Sequence, residues 1–155
     1  MLCIDYGSGY NPKPGYKTCD VTESPMLDYV VRDYHIFSRK GELESEAVDA
    51  FHCRNVLHHI KDLKMALEQI SRYLKKDGIL EIIEPTKSAF DANWFLDCFW
   101  YRWFDSGKRN VWFSDRWRDY VAIAKECGFE VTSHEVKEEK DIWVLTRTSF
   151  NGAEK

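Results

Sequence analysis

No apolar run in these 155 residues is long enough to span a bilayer; each is short and broken by charge, which excludes a membrane-spanning helix. A signal peptide is also missing from the expected place, because Met1 runs almost at once into a core strand at Leu2–Tyr6. The cytoplasm is therefore the expected location. Paired cysteines are absent too. Cys3, Cys19, Cys53, Cys98 and Cys127 are scattered and odd in number, with no C-x-x-C among them. They read as small buried hydrophobes rather than disulfides or zinc ligands, and no metal is expected. Nor does one charge dominate: 22 Lys and Arg against 26 Asp and Glu leave a net charge of −4, which argues against a general nucleic-acid partner. Internal repeats and long linkers are likewise missing.

What remains is a chain with 44% hydrophobic and 15% aromatic residues, long enough to fold as one domain over residues 1–155. Its first half alternates strand-like and helix-like segments, as a mostly parallel α/β sheet requires. Leu2–Tyr6, Tyr16–Asp20, Leu27–Arg32 and Val48–Cys53 read as four strands, and Glu42–Glu46 as a helical turn or a loop. Leu63, Ala66, Leu67, Ile70, Tyr73 and Leu74 form one apolar stripe, which predicts a helix over Asp62–Lys76 with Asp62 as its cap and Asp77-Gly78 as its end. Ile79–Glu84 then closes a βαβ unit, stopped by Pro85.

After Pro85 the composition changes. Residues 92–104 look helical but carry aromatics on nearly every face, and 86–114 reads as an aromatic-rich insertion or lid. A helix over Asp115–Cys127, capped by Ser114 and ended by Gly128, is followed by Phe129–Lys137 and Ile142–Thr148, an antiparallel hairpin around Glu138–Asp141. The tail Asn151–Lys155 is expected to fray.

The chemistry concentrates at strand ends. Asp5-Tyr6-Gly7-Ser8-Gly9 places two glycines directly after an apolar strand, where a ligand can approach the backbone. The second strand ends at Asp20, a carboxylate suited to the two hydroxyls of a ribose or, equally, to starting a turn. The loop continues Tyr10-Asn11-Pro12-Lys13-Pro14-Gly15, and prolines so spaced cannot open a helix interior. A dinucleotide site rests its pyrophosphate on a helix N-terminus at this point. The loop therefore suits a nucleoside without phosphate, and a nicotinamide oxidoreductase is the weaker reading.

Taken as a set, these residues resemble class I S-adenosylmethionine-dependent methyltransferases, in particular the compact type 11 methyltransferase domain. The resemblance rests on Ile4 to Gly9, on Val48 to Ile60 with its Arg54-Asn55-Val56-Leu57-His58-His59 run, and on Arg72 to Leu80. It covers about residues 2–85 and, more loosely, 115–148. The implied fold is a Rossmann-like mostly parallel sheet with a C-terminal antiparallel hairpin, the first helix replaced by a Gly/Pro loop. The implied cofactor is S-adenosylmethionine, with S-adenosylhomocysteine as product. By the same resemblance, Asp5, Gly7, Ser8 and Gly9 line its methionine end, and Asp20 and Val21 hold the ribose. Asp33 bonds the adenine amino group, with Tyr34 or Ile36 against the ring, while Arg54 and Asn55 face the methyl group. His58 and His59 are base candidates and Asn55 a catalytic one. Asn11 stands where the family has a third glycine, and Asp77 where it has the first of a pair.

Trp94, Trp100, Trp103, Trp112 and Trp117 are five of the six tryptophans, and they either seal the sheet or line a pocket for a planar or cationic acceptor. The interleaved Arg102, Lys108, Arg109, Arg116 and Arg118 are nearly cancelled by Asp97, Asp105, Asp115 and Asp119. That balance favours a small-molecule acceptor over nucleic acid. A non-catalytic module of the same fold stays open as the alternative, as does self-association into a homodimer.

Overall fold

The computed structural model describes residues 1–9, 11–21, 25–100 and 117–148, with the side chains of 94–100 excepted. Nine strands form one sheet: β1 (Cys3–Tyr6), β2 (Lys17–Asp20), β3 (Tyr29–Arg32), β4 (His35–Ser38), β5 (Gly41–Glu42), β6 (Val48–Arg54), β7 (Leu74–Pro85), β8 (Phe129–Lys137) and β9 (Lys140–Arg147). Their order across the sheet is β5-β4-β3-β2-β1-β6-β7-β9-β8. The five central strands β3, β2, β1, β6 and β7 are parallel, whereas β4, β5, β9 and β8 attach antiparallel at the two sides. The chain moves one way from β1 to β3 and the other way from β6 to β7. The topological switch point therefore falls between β1 and β6, where open α/β sheets bind ligands at their carboxyl edge.

Side chains alternate across the sheet. Ile4, Phe51, Leu80 and Leu145 are in register along one row, and all are buried. They share a core with Leu63, Leu67, Ile70 and Tyr73 of α1 (Leu63–Tyr73) and with Tyr120 and Ala124 of α3 (Tyr120–Glu126). α2 (Lys87–Trp100) follows β7 and buries Phe90. The opposite row is polar: Asp5, His52 and Glu81 stand side by side on β1, β6 and β7. Cys19, Cys53 and Cys127 are free and buried, and burial pushes their thiols up, that of Cys127 to about 11.

The parallel core and the C-terminal hairpin match the expected order, with strand limits shifted by a residue or two except at the start of β7. Three elements differ. Asp33 and Tyr34 both take positive φ (49° and 65°), forming a tight turn into β4, so a hairpin stands at 29–42 where a lone strand and a turn were expected. The first helix stops at Tyr73, because Leu74 turns extended and pairs with Val48. Residues 75–78 then bulge before Ile79 opposes Ala50, with Asp77 at φ 64°. The last helix starts at Tyr120 rather than Asp115, since the Asp119 carboxylate accepts the Ala122 N–H at 3.0 Å and caps it there. Ser114, Asp115, residues 101–104, most of the expected lid and the tail at 151–155 lie outside the described residues.

One side chain fixes the β4–β5 hairpin. The Tyr73 hydroxyl accepts the Ile36 N–H at 3.1 Å and donates to Glu42 at 2.7 Å, while Arg72 reaches the same carboxylate at 2.6 Å. Tyr73→Phe strands the buried Ile36 N–H, and we expect a loss of about 1–3 kcal/mol in urea unfolding. An unchanged midpoint would show that the hairpin is held some other way.

Candidate functional site

The site is built where the parallel strands end. β1 runs into Gly7 at φ 75°, and a Cβ there would lie 2.2 Å from Val56 Cγ2 in the loop after β6. Only glycine permits that approach. The Gly7 and Ser8 N–H groups both donate to the Cys19 carbonyl, at 2.8 and 3.0 Å, and the Ser8 hydroxyl lies 3.3 Å from Cys19 O and N. Ser8 is thus spent on joining the turn to β2. Gly9, at φ 53° with open space around its Cα, donates to Asp20 Oδ2 at 2.9 Å, and Val21 N–H donates to Oδ1 at 2.7 Å. Each Asp20 oxygen keeps further acceptor capacity.

Among the described residues no helix follows the turn. Residues 11–16 return as a strap across the polar face of the sheet. The Lys13 N–H donates to Asp5 Oδ2 at 2.7 Å, although Asp5 is only 4% exposed and burial pushes its carboxyl up. Lys13 Nζ continues to Glu81 Oε1 at 3.3 Å, and His52 Nδ1 meets the same oxygen at 2.5 Å. The His52 hydrogen bond, aided by Lys13, holds the Glu81 carboxyl below its usual range. The Tyr16 ring stands edge-on to His52 at 6.0 Å. Sequence reasoning missed Lys13, His52 and Glu81 because only strand register brings them together.

On the β3 side, Asp33 is exposed in the hairpin turn, its carbonyl accepting from His35 Nδ1 at 2.7 Å. The Tyr34 hydroxyl accepts the Asp62 N–H at 3.2 Å, spanning from β3 to the start of α1. Ile36 is fully buried in the core beneath.

On the β6 side, Arg54 is exposed and Asn55 turns the chain at φ 51°. The Asn55 N–H donates to Ile83 O at 2.8 Å, and its Oδ1 accepts from Lys140 Nζ at 2.6 Å. Glu84, 1% exposed, accepts the Leu57 N–H at 2.7 Å through Oε1 and holds His58 Nδ1 at 2.8 Å through Oε2. The Arg118 guanidinium donates to the Leu57 carbonyl. His58 is therefore a buried wall residue oriented by Glu84, while His59, its ring 4.1 Å away, is the half-exposed imidazole. The turn of the last hairpin, with Glu138 and Glu139 at φ 52° and 63°, reaches this edge, where Glu139 O accepts the Thr86 N–H at 3.0 Å. Glu84, Arg118 and Lys140 had no local motif to reveal them.

A family model described as a methyltransferase domain matches residues 4–134. No curated protein matches the sequence. Among solved structures, a S-adenosylmethionine-dependent methyltransferase from Thermotoga maritima is 15% identical at a TM-score of 0.65, covering 95% of this chain and 82% of its own. The CMeT domain of the citrinin polyketide synthase is 14% identical at 0.67, and the CurJ carbon methyltransferase 20% identical at 0.62; both cover 96% of this chain. The chain spans about half of those two, 47% and 49% of their lengths. At these identities the structures establish the fold, and the family model establishes the kinship. The chain belongs to the methyltransferase domain family and carries the Rossmann-like fold of S-adenosylmethionine-dependent methyltransferases.

Proposed function

We propose that the chain binds S-adenosylmethionine along the carboxyl ends of β2, β1 and β6 and transfers its methyl group to a small-molecule acceptor on the β6–β7 side. The observation that carries this reading is the Asp20 carboxylate. Gly9 and Val21 N–H groups pin it beside a glycine turn that has no helix N-terminus behind it. That arrangement offers acceptors to ribose hydroxyls and no amide cluster to a pyrophosphate.

The residues present fit the group. Gly9 leaves the backbone bare where a nucleoside would lie, Gly7 lets the turn pack against Val56, and Asp33 and Tyr34 border the β3 side. When bound, the cofactor supplies an electrophilic methyl on a sulfonium. The protein's part is to hold an acceptor in line with it, and positioning of this kind removes several kcal/mol from a barrier. Asn55, fixed by Lys140, turns the chain at the end of β6 beside that position. Of the two imidazoles, His59 is the more accessible to take a proton from an acceptor. The ring of His58 is oriented by the contact of its Nδ1 with Glu84.

Calorimetric titration tests the reading: one saturable site for S-adenosylhomocysteine and none for NADH is the expected result. Asp20→Asn keeps an acceptor for the loop but removes the charge, and should weaken binding by about 1.5–3 kcal/mol. Unchanged affinity in the folded variant would remove Asp20 from the site. Gly7→Val should abolish binding, because the new side chain drives Val56 and the start of the β6 loop out of place as well as filling the turn. Normal titration of that variant would mean the ligand sits elsewhere.

A further inference from the structure

The strap covers only part of the sheet face that is turned away from α1 and α3. Its backbone is tied to Asp5 on β1, and its Lys13 side chain reaches Glu81 on β7. Beyond that contact the face becomes apolar. Ile79 and Ile83 of β7 lie on the same side as Glu81, and Ile142 and Val144 of β9 stand opposite Ile83 and Glu81. Ile79 is 44% exposed and the other three are half-buried, and none of the four belongs to the core packed on the helices. Charges of opposite sign flank this patch. Glu130 and Glu135, both exposed, lie on β8, while the exposed Arg54, which also acts electrostatically on Asp5, ends β6.

Register decides what fits such a face. Arg54, Ile83, Ile142 and Glu135 form one row across β6, β7, β9 and β8, basic at one end, acidic at the other and apolar between. A two-fold axis parallel to the strands and midway between β7 and β9 turns this row onto itself. Arg54 of one copy then lies over Glu135 of the other, twice, with Ile83 over Ile142. The rows behind it set Val144 over Glu81, whose charge Lys13 and His52 already balance, and Glu130 over Ala50, so no like charges are opposed there. Packed sheets stand about 10 Å apart, a gap that facing arginine and glutamate side chains close. The row is therefore complementary to itself.

We propose that this face joins two copies of the chain in a face-to-face dimer, Arg54 of each copy pairing with Glu135 of the other. The inference does not depend on the cofactor reading. The strap stands clear of the contact, because the second copy's β8 comes to rest over β6 and the strap backbone is tied to β1. From β6 to β8 the patch spans about 14 Å, which is small beside the roughly 800 Å² per partner of a standard interface. The dimer is accordingly reversible, with a dissociation constant on the order of 10 μM, and it weakens as salt screens the two charge pairs at its rim.

Sedimentation velocity over a concentration series reads this equilibrium directly. The intact chain should pass from monomer to dimer as its concentration rises. Glu135→Arg sets arginine against arginine, Arg54→Glu sets glutamate against glutamate, and each alone should weaken association by about tenfold. The double variant restores opposite charges and should return to the wild-type affinity, a rescue that misfolding cannot produce. A wild-type chain that stays monomeric up to about 1 mM would overturn the proposal. So would a double variant as weak as the single ones. A dimer indifferent to both single reversals would be held by another surface, such as the outer edge of β8, and the assignment would fall with it.

Discussion

Parallel strands cannot be joined by a tight turn; the chain must travel back the length of the strand, and a helix of a dozen or more residues usually does so. Here β1 and β2 are four residues each, and only residues 7–16 connect them. What makes the short return work is the Lys13 N–H on the buried Asp5 carboxylate. Burial disfavours the charged carboxyl, while the Lys13 amide and the neighbouring side chains of His52, Lys13 and Arg54 oppose that penalty. Lys13 then spends its ammonium on Glu81, so the strap is fixed by backbone and side chain at once. The glycine turn, the Gly9–Asp20 contact and the open edge beside Arg54 all follow from a crossover that stays flat on the sheet.

The site divides along the same edge. The glycine turn and Asp20 border one half of the candidate site, and the loops after β6 and β7 border the other. The second half is held from a distance: Lys140 reaches Asn55 and the Glu139 carbonyl takes the Thr86 N–H, so the turn of the last hairpin fixes two loops that precede it in the chain. Glu84 does the same from inside, satisfying one backbone donor and orienting one imidazole with its two oxygens. A carboxylate that is 1% exposed needs both partners. That requirement explains why His58 belongs to the wall of the site and His59 to its surface.

Features set by local chemistry were legible in the sequence. The stripe from Leu63 to Tyr73 made α1, the apolar strand before Gly7 located the turn, and the prolines at 12 and 14 ruled out a helix. The β3–β4 hairpin was not legible, because its turn places Asp33 and Tyr34 at positive φ without the Asn-Gly or Asp-Gly signature such turns favour. Leu74 continued the helical stripe in sequence, yet its partner is Val48 across the sheet, and pairing overrode periodicity. The contacts of Lys13 with Glu81 and of Asn55 with Lys140 span 68 and 85 residues. Such pairs are created by register, and no local pattern announces them.

Register also explains how the domain dispenses with the helix of its first crossover. A parallel sheet packed on both faces reads as continuous apolar runs. In β1 and the centres of β6 and β7 the chain alternates instead: Ile4, Phe51 and Leu80 face α1 and α3, while Asp5, His52 and Glu81 occupy the other side. A helix laid over that second row would bury three ionisable groups at once, with only one another to offset the desolvation. A strap that brings its own backbone donor and ammonium is the better cover. The residues that make the first helix dispensable are therefore the same ones that hold its replacement, and through it the glycine turn, in place.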